Sequence, residues 1–319
     1  MGRDPKRRAR SSKPEPPEFA RTVRHSLPEQ TSEASAWEPA HQLAAGLHLV
    51  ATPIGNLGDI TLRALWVLRN VDRILCEDTR VTARLLAHYG IEKPLLAYHD
   101  HNADRVRPGV LAALRRGERL ALVSDAGTPL VSDPGYKLVR DAQAESLAVS
   151  AAPGASAALA ALTLSGLPPD RFFFVGFPPA RAAARRRLFA EWCTHPATLV
   201  LFEGPSRLAE SLADLAAALG DRDAAVAREL TKRHEEVRRG TLATLAAHYR
   251  AAGPPRGEVV IVVGPPAAAP VEATDVDAQL RERLARQSLR DAVAEIAAET
   301  GLGRKVLYRR ALALQQGRS

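Results

Sequence analysis

Side chains that could bind a small ligand are concentrated in three turns rich in glycine, proline and serine. The first is TPIGNL (52–57), the second runs from Ser124 to Gly135 with aspartates at 125 and 133, and the third is PGASA (153–157). Proline restricts φ, and glycine lets the backbone approach a ligand closely. Aspartate accepts hydrogen bonds from ribose hydroxyls and amino groups. These turns therefore predict a binding site for a ligand that carries such groups.

Each turn also has a purely structural explanation. The first could be an ordinary tight turn, the second could contain an Asx-turn that caps a helix, and Ser156 taken alone is more typical of a helix N-cap. The sequence has no GxGxxG after its first predicted strand and no GxxxxGK[ST] at any position. The usual Rossmann and P-loop phosphate sites are therefore not supported.

Alternating strand-like and helix-like segments place the three turns after predicted strands. An apolar run such as LHLVAT (47–52), which stops at proline and glycine, is typical of a buried strand. The predicted strands span 47–52, 73–78, 94–98, 119–124 and 147–151, and the predicted helices 60–68 (with Thr61 as N-cap), 79–88, 106–116, 136–145 and 157–163. This order predicts a mostly parallel sheet with helices on both faces, and such sheets bind ligands at the carboxyl ends of their strands.

The pattern changes after residue 166, which predicts a second α/β domain. Its predicted strands span 171–175, 198–202, 224–229 and 258–263, and its predicted helices 182–193, 207–219 and 242–251. We therefore expect an N-terminal α/β domain at 46–166 and a C-terminal α/β domain at 167–266. Residues 1–45 combine Pro, Glu, Ser and Arg without apolar periodicity, which predicts a disordered extension.

Residues 276–316 are predicted to form a small basic helical module. Helices at 288–300 and 305–315 flank a short turn, and these apolar residues are expected to pack together: Leu289, Val293, Ile296, Val306, Leu307 and Leu312. Of the net charge of +8, residues 279–319 carry +5, from nine Lys or Arg and four Asp or Glu. The cations expected to point outward and bind RNA phosphates are Arg304, Lys305, Arg309 and Arg310. A helical hairpin with only a structural role is the alternative.

The composition argues against several other classes of protein. Two cysteines, at 76 and 193, cannot form a disulfide framework and lack the spacing of a zinc site. The basic residues near the N-terminus are followed by no apolar segment of the kind found in a secretory signal. The stretch 151–167 consists mostly of small residues, which favours a buried helix over a membrane span. We therefore expect a cytoplasmic protein without a bound metal and without a membrane partner.

Eight sequence blocks resemble, in the same order, those of a known enzyme family. They are LVATPIGNLGDITLRAL (49–65), CEDTR (76–80), SDAGTPLVSDPG (124–135), PGASA (153–157), FVGFPP (174–179), LFEGPSRL (201–208), ARELTKRHEE (227–236) and GEVVIVVG (257–264). Over residues 47–266 the chain thus resembles the tetrapyrrole-methylase-like (class III) S-adenosylmethionine methyltransferases. Within that family it is most similar to the members that methylate a cytidine 2′-hydroxyl in small-subunit (16S) ribosomal RNA, and residues 289–312 resemble their C-terminal helical module.

The resemblance implies two α/β domains with a cleft between them that binds S-adenosylmethionine. It also implies a homodimer, and as substrate 16S ribosomal RNA, for which the sequence leaves both the 30S subunit and the free RNA open. The residues that should contact the cofactor are Pro53, Ser124, Asp125, Thr128, Ser156 and Ala157 from the first domain and Phe202 and Glu203 from the second.

Methyl transfer to a ribose hydroxyl requires alignment of the reacting groups and removal of the hydroxyl proton. The candidates for the proton acceptor are Glu77 and Lys232, and Arg80 is a candidate contact to RNA phosphate. A lysine acts as a base only if its pKa is lowered by several units, so Lys232 could instead bind phosphate. The same residues could also form only an ion-pair network between the domains.

Other functions remain open at this point. A methyltransferase that acts on tetrapyrrole precursors would have similar cofactor turns, although CEDTR, ELTK and the basic tail favour RNA. A non-catalytic nucleic-acid-binding protein would use the tail as a helix-turn-helix, but the complete set of cofactor turns argues against it. Methylation of a protein, as in diphthamide synthesis, is a weaker alternative.

Overall fold

The first domain is built on a parallel sheet of five strands. The computed structural model describes residues 42–266, 273–300 and 302–316, so the predicted disordered extension lies outside the described residues except for 42–45. The strands are β1 (Gly46–Val50), β2 (Arg73–Cys76), β3 (Leu95–Ala97), β4 (Arg119–Val123) and β5 (Val149–Ala152). Their order is β3-β2-β4-β1-β5, and every neighbouring pair is parallel. The predicted parallel sheet is confirmed, and the three turns follow β1, β4 and β5.

Four helices connect these strands and pack against the sheet. They are α1 (Leu62–Asn70), α2 (Thr79–His88), α3 (Ala103–Arg115) and α4 (Tyr136–Ala144). Thr61 is the N-cap of α1, as predicted, because its side chain accepts a hydrogen bond from the Ala64 N–H at 3.1 Å. Leu114 of α3 and Leu138 of α4 pack against apolar residues of the strands, which forms the core of this domain.

The second domain contains a mixed sheet of five strands, although four were predicted. The strands are β6 (Phe172–Gly176), β7 (Thr198–Glu203), β8 (Asp223–Arg228), β9 (Glu236–Thr241) and β10 (Val259–Val263). The order is β6-β7-β10-β8-β9, in which β6 and β7 are parallel and the other pairs antiparallel. The prediction of four strands was wrong because β9 is an edge strand with the polar sequence EVRRGT and partly exposed side chains.

Helices pack against the second sheet as well. One is α5 (Ala157–Ser165), in which Ala161 and Leu162 are buried against residues of β7, β8 and β10. The others are α6 (Ala182–Ala190), α7 (Leu208–Leu219) and α8 (Leu242–Ala252), which share a separate apolar core with the sheet. The predicted boundary at residue 166 thus follows a helix that packs on the second sheet. In the described parts of the chain, no helix is long and apolar enough to cross a membrane.

The C-terminal module consists of three helices, although two were predicted. They are α9 (Ala273–Leu284), α10 (Leu289–Thr300) and α11 (Arg304–Gln316). Their shared core contains Val276, Leu280, Val293, Ile296, Leu307 and Ala311. Val306 and Leu312 were expected in this core, but they are 44% and 40% exposed. The buried side of α11 follows the helical spacing of residues 307 and 311, which turns 306 and 312 toward solvent.

Candidate active site

A cavity of about 380 Å³ lies between the two sheets and is lined by residues of both domains. Small-molecule sites typically have volumes of roughly 300–1,000 Å³ and a mostly apolar lining with a few polar groups. Six of the eight predicted cofactor contacts line this cavity: Asp125, Thr128, Ser156, Ala157, Phe202 and Glu203. The structure therefore brings six of the predicted contacts together at one cavity, where they form part of its wall.

Pro53 and Ser124, the other two predicted contacts, do not line the cavity. Ser124 is buried, and its hydroxyl donates a hydrogen bond to the Gly127 carbonyl at 3.0 Å. Its own carbonyl accepts a hydrogen bond from the Thr52 hydroxyl, also at 3.0 Å. Ser124 thus joins the turn after β4 to the turn after β1, and Ile54 rather than Pro53 reaches the cavity.

Asp125 and Thr128 lie on the cavity wall, next to the hydrogen bonds of Ser124 that join the turns after β1 and β4. One carboxylate oxygen of Asp125 accepts a hydrogen bond from the Asp78 N–H at 3.1 Å, which ties the start of α2 to the site. The Thr128 hydroxyl donates to the Ala155 carbonyl at 3.2 Å and so links the second and third turns. The second carboxylate oxygen of Asp125 accepts no hydrogen bond from the part of the chain that the structure describes.

Ser156 satisfies both explanations that the sequence allowed. It is the N-cap of α5, where its hydroxyl accepts a hydrogen bond from the Leu159 N–H at 3.5 Å. It also lines the cavity together with Ala157, the first residue of the helix. The first turn of α5 therefore forms part of the wall, and the small side chain of Ala157 leaves space beside it.

Aromatic rings form the wall on the side of the second domain. Phe202 at the end of β7 lies against Phe177, with ring centroids 5.4 Å apart, and against Phe174 at 5.0 Å. Phe177 is 59% exposed and lines the cavity, yet the sequence did not mark it as a site residue. Phe177 and Phe202 together give this side of the cavity an aromatic lining, which is common in small-molecule sites.

The carboxylate of Glu203 is not available to a ligand. It is fully buried and accepts hydrogen bonds from the Ser211 hydroxyl at 2.5 Å and the Gly204 N–H at 2.7 Å. It also forms an ion pair with Arg207. Glu203 was predicted as a cofactor contact and lines the cavity, but its carboxylate stabilises the end of β7.

Three carboxylates of the first domain lie close enough to influence one another. Asp133 lines the cavity, and its pKa is raised to about 6, first by burial and then by the negative charges of Glu77 and Asp125. Glu77, a predicted proton acceptor, has a raised pKa for the same kinds of reason, but it does not line the cavity. The sequence placed Asp133 in a predicted ligand-binding turn but did not name it as a cofactor contact or a proton acceptor.

Lys232, the other predicted proton acceptor, is an ion-paired cation. Its Nζ lies 2.9 Å from Glu229 Oε1 and 3.2 Å from Glu258 Oε2. Burial acts to lower the pKa of Lys232, but the hydrogen bonds and charges of the two glutamates outweigh that effect and raise it. The geometry therefore argues against Lys232 as a proton acceptor and favours the alternative of an ion-pair network, whose members here all belong to the second domain.

Backbone conformations that non-glycine residues rarely adopt occur on both sides of the cleft. Leu130 and Ser132 have φ values of 72° and 65°, and across the cleft Glu229 and Thr231 have values of 49° and 64°. Such residues cost energy and are concentrated at functional sites. Positive φ at four residues of two facing loops supports the assignment of the cavity as the active site.

Gly55→Ala is expected to destabilise the protein by about 1–3 kcal/mol, the usual cost of overpacking. A Cβ at residue 55 would lie 2.5 Å from Lys232 Cγ and 3.1 Å from the Leu230 carbonyl oxygen. The lysine would have to leave its ion pairs to make room. Thermal unfolding should therefore show a lower Tm than for Gly109→Ala in α3, where a Cβ meets nothing within 4 Å. Equal Tm values would contradict this close contact.

The predicted RNA-binding residues are placed on two surfaces. Arg80 lies near the start of α2 with 86% of its side chain exposed and pairs with Asp78 at 2.6 Å. Arg304, Lys305 and Arg309 are exposed on α11. Arg310 was expected to point outward with them, but it is partly buried and lies 3.5 Å from Asp277 of α9. Its position on the side of α11 that faces α9 explains the difference.

Comparison with known protein families identifies the chain. The family described as Tetrapyrrole (Corrin/Porphyrin) Methylases matches residues 46–246. The chain belongs to the tetrapyrrole methylase family. A second family, described as RsmI C-terminal HTH domain, matches residues 270–315. The predicted fold is confirmed, and so is the prediction of a methyltransferase that uses S-adenosylmethionine.

Curated relatives of this tetrapyrrole methylase cover almost the whole chain. A protein of Mesorhizobium japonicum named Ribosomal RNA small subunit methyltransferase I is 51% identical over 278 residues, which are 87% of this chain and 95% of that protein. A protein of the same name from Erythrobacter litoralis is 52% identical over 276 residues, which are 86% of this chain and 98% of that protein. Both alignments are long enough to include the C-terminal module in part.

Two solved structures share the fold at low sequence identity. Diphthine synthase has a TM-score of 0.54 at 17% identity and covers 68% of this chain and 89% of its own. Uroporphyrin-III C-methyl transferase from Thermus thermophilus, complexed with S-adenosyl homocysteine, has a TM-score of 0.51 at 20% identity. The match covers 69% of this chain and 97% of that protein. At these identities the likeness concerns the architecture.

Proposed function

We propose that this tetrapyrrole methylase transfers a methyl group from S-adenosylmethionine to the 2′-hydroxyl of a cytidine in 16S ribosomal RNA. The observation that carries this proposal is the near full-length likeness, at 51% and 52% identity, to two proteins named Ribosomal RNA small subunit methyltransferase I. The assembled 30S subunit as substrate, the homodimer and the cytoplasmic location remain predictions from the family resemblance.

The residues of the cavity fit the chemical character of the methyl donor. Ile54, Leu230 and Val260 provide apolar surface next to the phenylalanines, which suits the adenine ring. Asp125 can accept hydrogen bonds from ribose hydroxyls or an ammonium group. Gly127 and Gly204 also line the cavity, and because neither carries a side chain a ligand can approach the backbone closely there. When bound, S-adenosylmethionine supplies an electrophilic methyl group attached to a positively charged sulfur.

The chain's own contribution to catalysis is positioning, desolvation and proton acceptance. The turns after β1, β4 and β5 are joined by hydrogen bonds and form one side of the cavity, and the end of β7 forms the other. A ligand between them therefore has little translational and rotational freedom. Positioning of reacting groups can account for most of the reduction of an activation barrier. Asp125 at the wall favours the positive charge of the donor, and a second carboxylate there can accept the proton of the attacking hydroxyl.

The exposed face of α11 provides a surface for the RNA. Arg304, Lys305 and Arg309 lie there beside the exposed side chains of Val306 and Tyr308. Cations on such a face bind phosphates, and an exposed aromatic ring can stack on an unpaired base. Together with Arg80, these residues would bind RNA on both the first domain and the C-terminal module.

The proposal is tested by supplying the full chain with radiolabelled S-adenosylmethionine and either 30S subunits or free 16S ribosomal RNA from a strain that lacks the orthologous enzyme. Mapping of 2′-O-methyl groups should then show label on a cytidine ribose. Label on a base or on a tetrapyrrole precursor, or no label on either RNA substrate, would contradict the proposed function. The comparison of the two RNA substrates shows which form the enzyme uses.

A further inference from the structure

The turn after β4 holds a second aspartate, Asp133, on the wall of the same cavity as Asp125. Ser132 has a φ of 65°, and Gly135 has a φ of 131°. A Cβ at residue 135 would lie 2.6 Å from Leu122 Cδ2, so this part of the turn is packed closely against β4. Such a backbone persists only where the surrounding structure holds it in place. The fold thus fixes Asp133 at the cavity.

The Asp133 carboxylate has no hydrogen-bond or ion-pair partner among the described residues. The other acidic residues of the wall each have one. Asp125 accepts a hydrogen bond from the Asp78 N–H, Glu203 is paired with Arg207, and Glu258 is paired with Lys232. A half-buried carboxylate without a donor, facing a ligand cavity, is available to accept a proton from whatever occupies that cavity.

The charges around Asp133 increase its basicity. Glu77 and Asp125 face it from the first domain, and burial and these two negative charges raise its pKa to about 6. Across the cavity the charged groups are Glu203 and Glu258, and the positive charges of Arg207 and Lys232 compensate them. A carboxylate of this kind is still ionised at neutral pH, yet it is a stronger base than an ordinary aspartate.

We infer that Asp133 is the catalytic residue that removes the proton from the ribose 2′-hydroxyl, in place of Glu77 or Lys232. This inference rests on the proposed function. The O2′–H bond breaks and its proton passes to a carboxylate oxygen of Asp133. The bond between O2′ and the methyl carbon forms, and the carbon–sulfur bond breaks with its electron pair left on sulfur. Glu77 is then a positioning residue that acts through its charge on Asp133, and water takes up the proton after product release.

Asp133→Asn is expected to lower the rate of methyl transfer at saturating donor and RNA by about 10²–10⁴-fold, the usual contribution of a general base. Asparagine has the same shape, and the variant keeps Asp125 as the carboxylate that attracts the donor, so the Kd for S-adenosylmethionine should change less than about threefold. In the wild type, log kcat/KM should rise with pH up to about 6 and then level off, and the variant should lose this dependence. Asp170→Asn, at an exposed position between the domains, is the matched control and should leave rate and pH profile unchanged.

Glu77→Gln separates the positioning role from proton transfer. Removal of its negative charge lowers the pKa of Asp133, so the rise of kcat/KM should move to lower pH. The rate on the plateau should remain within a few-fold of the wild type. If Glu77 itself were the base, Glu77→Gln would instead lose the pH-dependent rise and most of the rate.

A measurement without donor or RNA tests the same group. Since the pKa of Asp133 in the folded protein lies above its ordinary value of 3.8, the proton is held more tightly in the folded state than in the unfolded one. This contribution to stability is present below pH 3.8 and is lost as the pH rises through about 6. The Tm of Asp133→Asn minus the Tm of the wild type should therefore increase as the pH is raised from 4 to 7.

Three results would overturn the inference. One is an Asp133→Asn variant that methylates RNA within threefold of the wild-type rate at neutral pH. Another is a loss of donor affinity large enough to explain the loss of rate, which would make Asp133 a binding residue. The third is a Tm difference that does not change with pH. If the wild type methylates no ribosomal RNA, the proposed function fails, and the donor Kd and the Tm profile still report on Asp133.

Discussion

Asp125→Ala is expected to raise the Kd for S-adenosylmethionine about 10- to 150-fold, which corresponds to the loss of one hydrogen bond to a charged group. Asp125 lies on the cavity wall, and one of its oxygens is held by the Asp78 N–H at 3.1 Å. The aspartate is thus oriented before the donor binds. Its removal takes away both a hydrogen-bond acceptor and a negative charge that attracts the positively charged donor.

Calorimetry on the purified variant measures this effect, and circular dichroism shows whether the protein is folded. Asp170→Ala removes the same side chain at an exposed position and should bind the donor as the wild type does. A folded Asp125→Ala protein with unchanged affinity would exclude Asp125 from the donor site.

Simultaneous replacement of Arg304, Lys305 and Arg309 by alanine is expected to weaken binding of ribosomal RNA by at least about tenfold at physiological salt. Each cation on a phosphate releases a counterion, so the slope of log K against log salt should fall by about two to three. The three side chains lie on the exposed face of α11, outside the core of the module, and their loss should spare both folding and donor binding.

Arg310→Ala provides the control for this surface. Arg310 lies on the same helix but is paired with Asp277 at 3.5 Å, so it contributes less to the binding of phosphates. We expect a small change of RNA affinity and an unchanged salt slope. An unaltered slope in the triple variant would mean that α11 does not contact the RNA, and the module would then have the structural role that the sequence also allowed.

The first sheet could be predicted from the sequence because its strands are short apolar runs that end at proline, glycine or aspartate. LHLVAT (47–52) gave β1, and the cap at Thr61 gave the start of α1. The edge strand β9 could not be found in this way. Its residues EVRRGT pair with β8 only and remain partly exposed. The segment therefore has neither the apolar content nor the strict alternation by which a strand is recognised in a sequence.

The cavity wall was predicted in part, for a physical reason. Asp125 and Thr128 belong to a turn after a parallel strand, where ligand contacts are expected from local order alone. Asp133 lies in the same predicted turn, but only the structure shows that its carboxylate faces the cavity without a partner among the described residues. Phe177 lines the cavity because the two sheets pack with their loops facing each other, and the periodicity of the sequence gives no information about that packing. Glu203 and Ser124 were predicted as cofactor contacts, but their side chains form hydrogen bonds within the protein.

The C-terminal module shows how small shifts of helical register change a prediction. Leu307 was correctly expected in the core, but Val306 and Leu312 were added because they are apolar, not because they share its face. The first helix, α9, was missed although Val276 and Leu280 have the spacing of one helix face. The helical spacing of the apolar residues would have predicted both α9 and the buried side of α11.

Isothermal titration calorimetry of S-adenosylmethionine into the full chain asks directly whether this cavity holds the methyl donor. We expect one site per chain in the wild type and no measurable uptake by Ala157→Phe, whose ring would fill the space beside the first turn of α5. Ala247→Phe, on an exposed position of α8, should bind like the wild type. If the wild type took up no donor, or if Ala157→Phe bound it with the same affinity, the donor site would have to lie elsewhere.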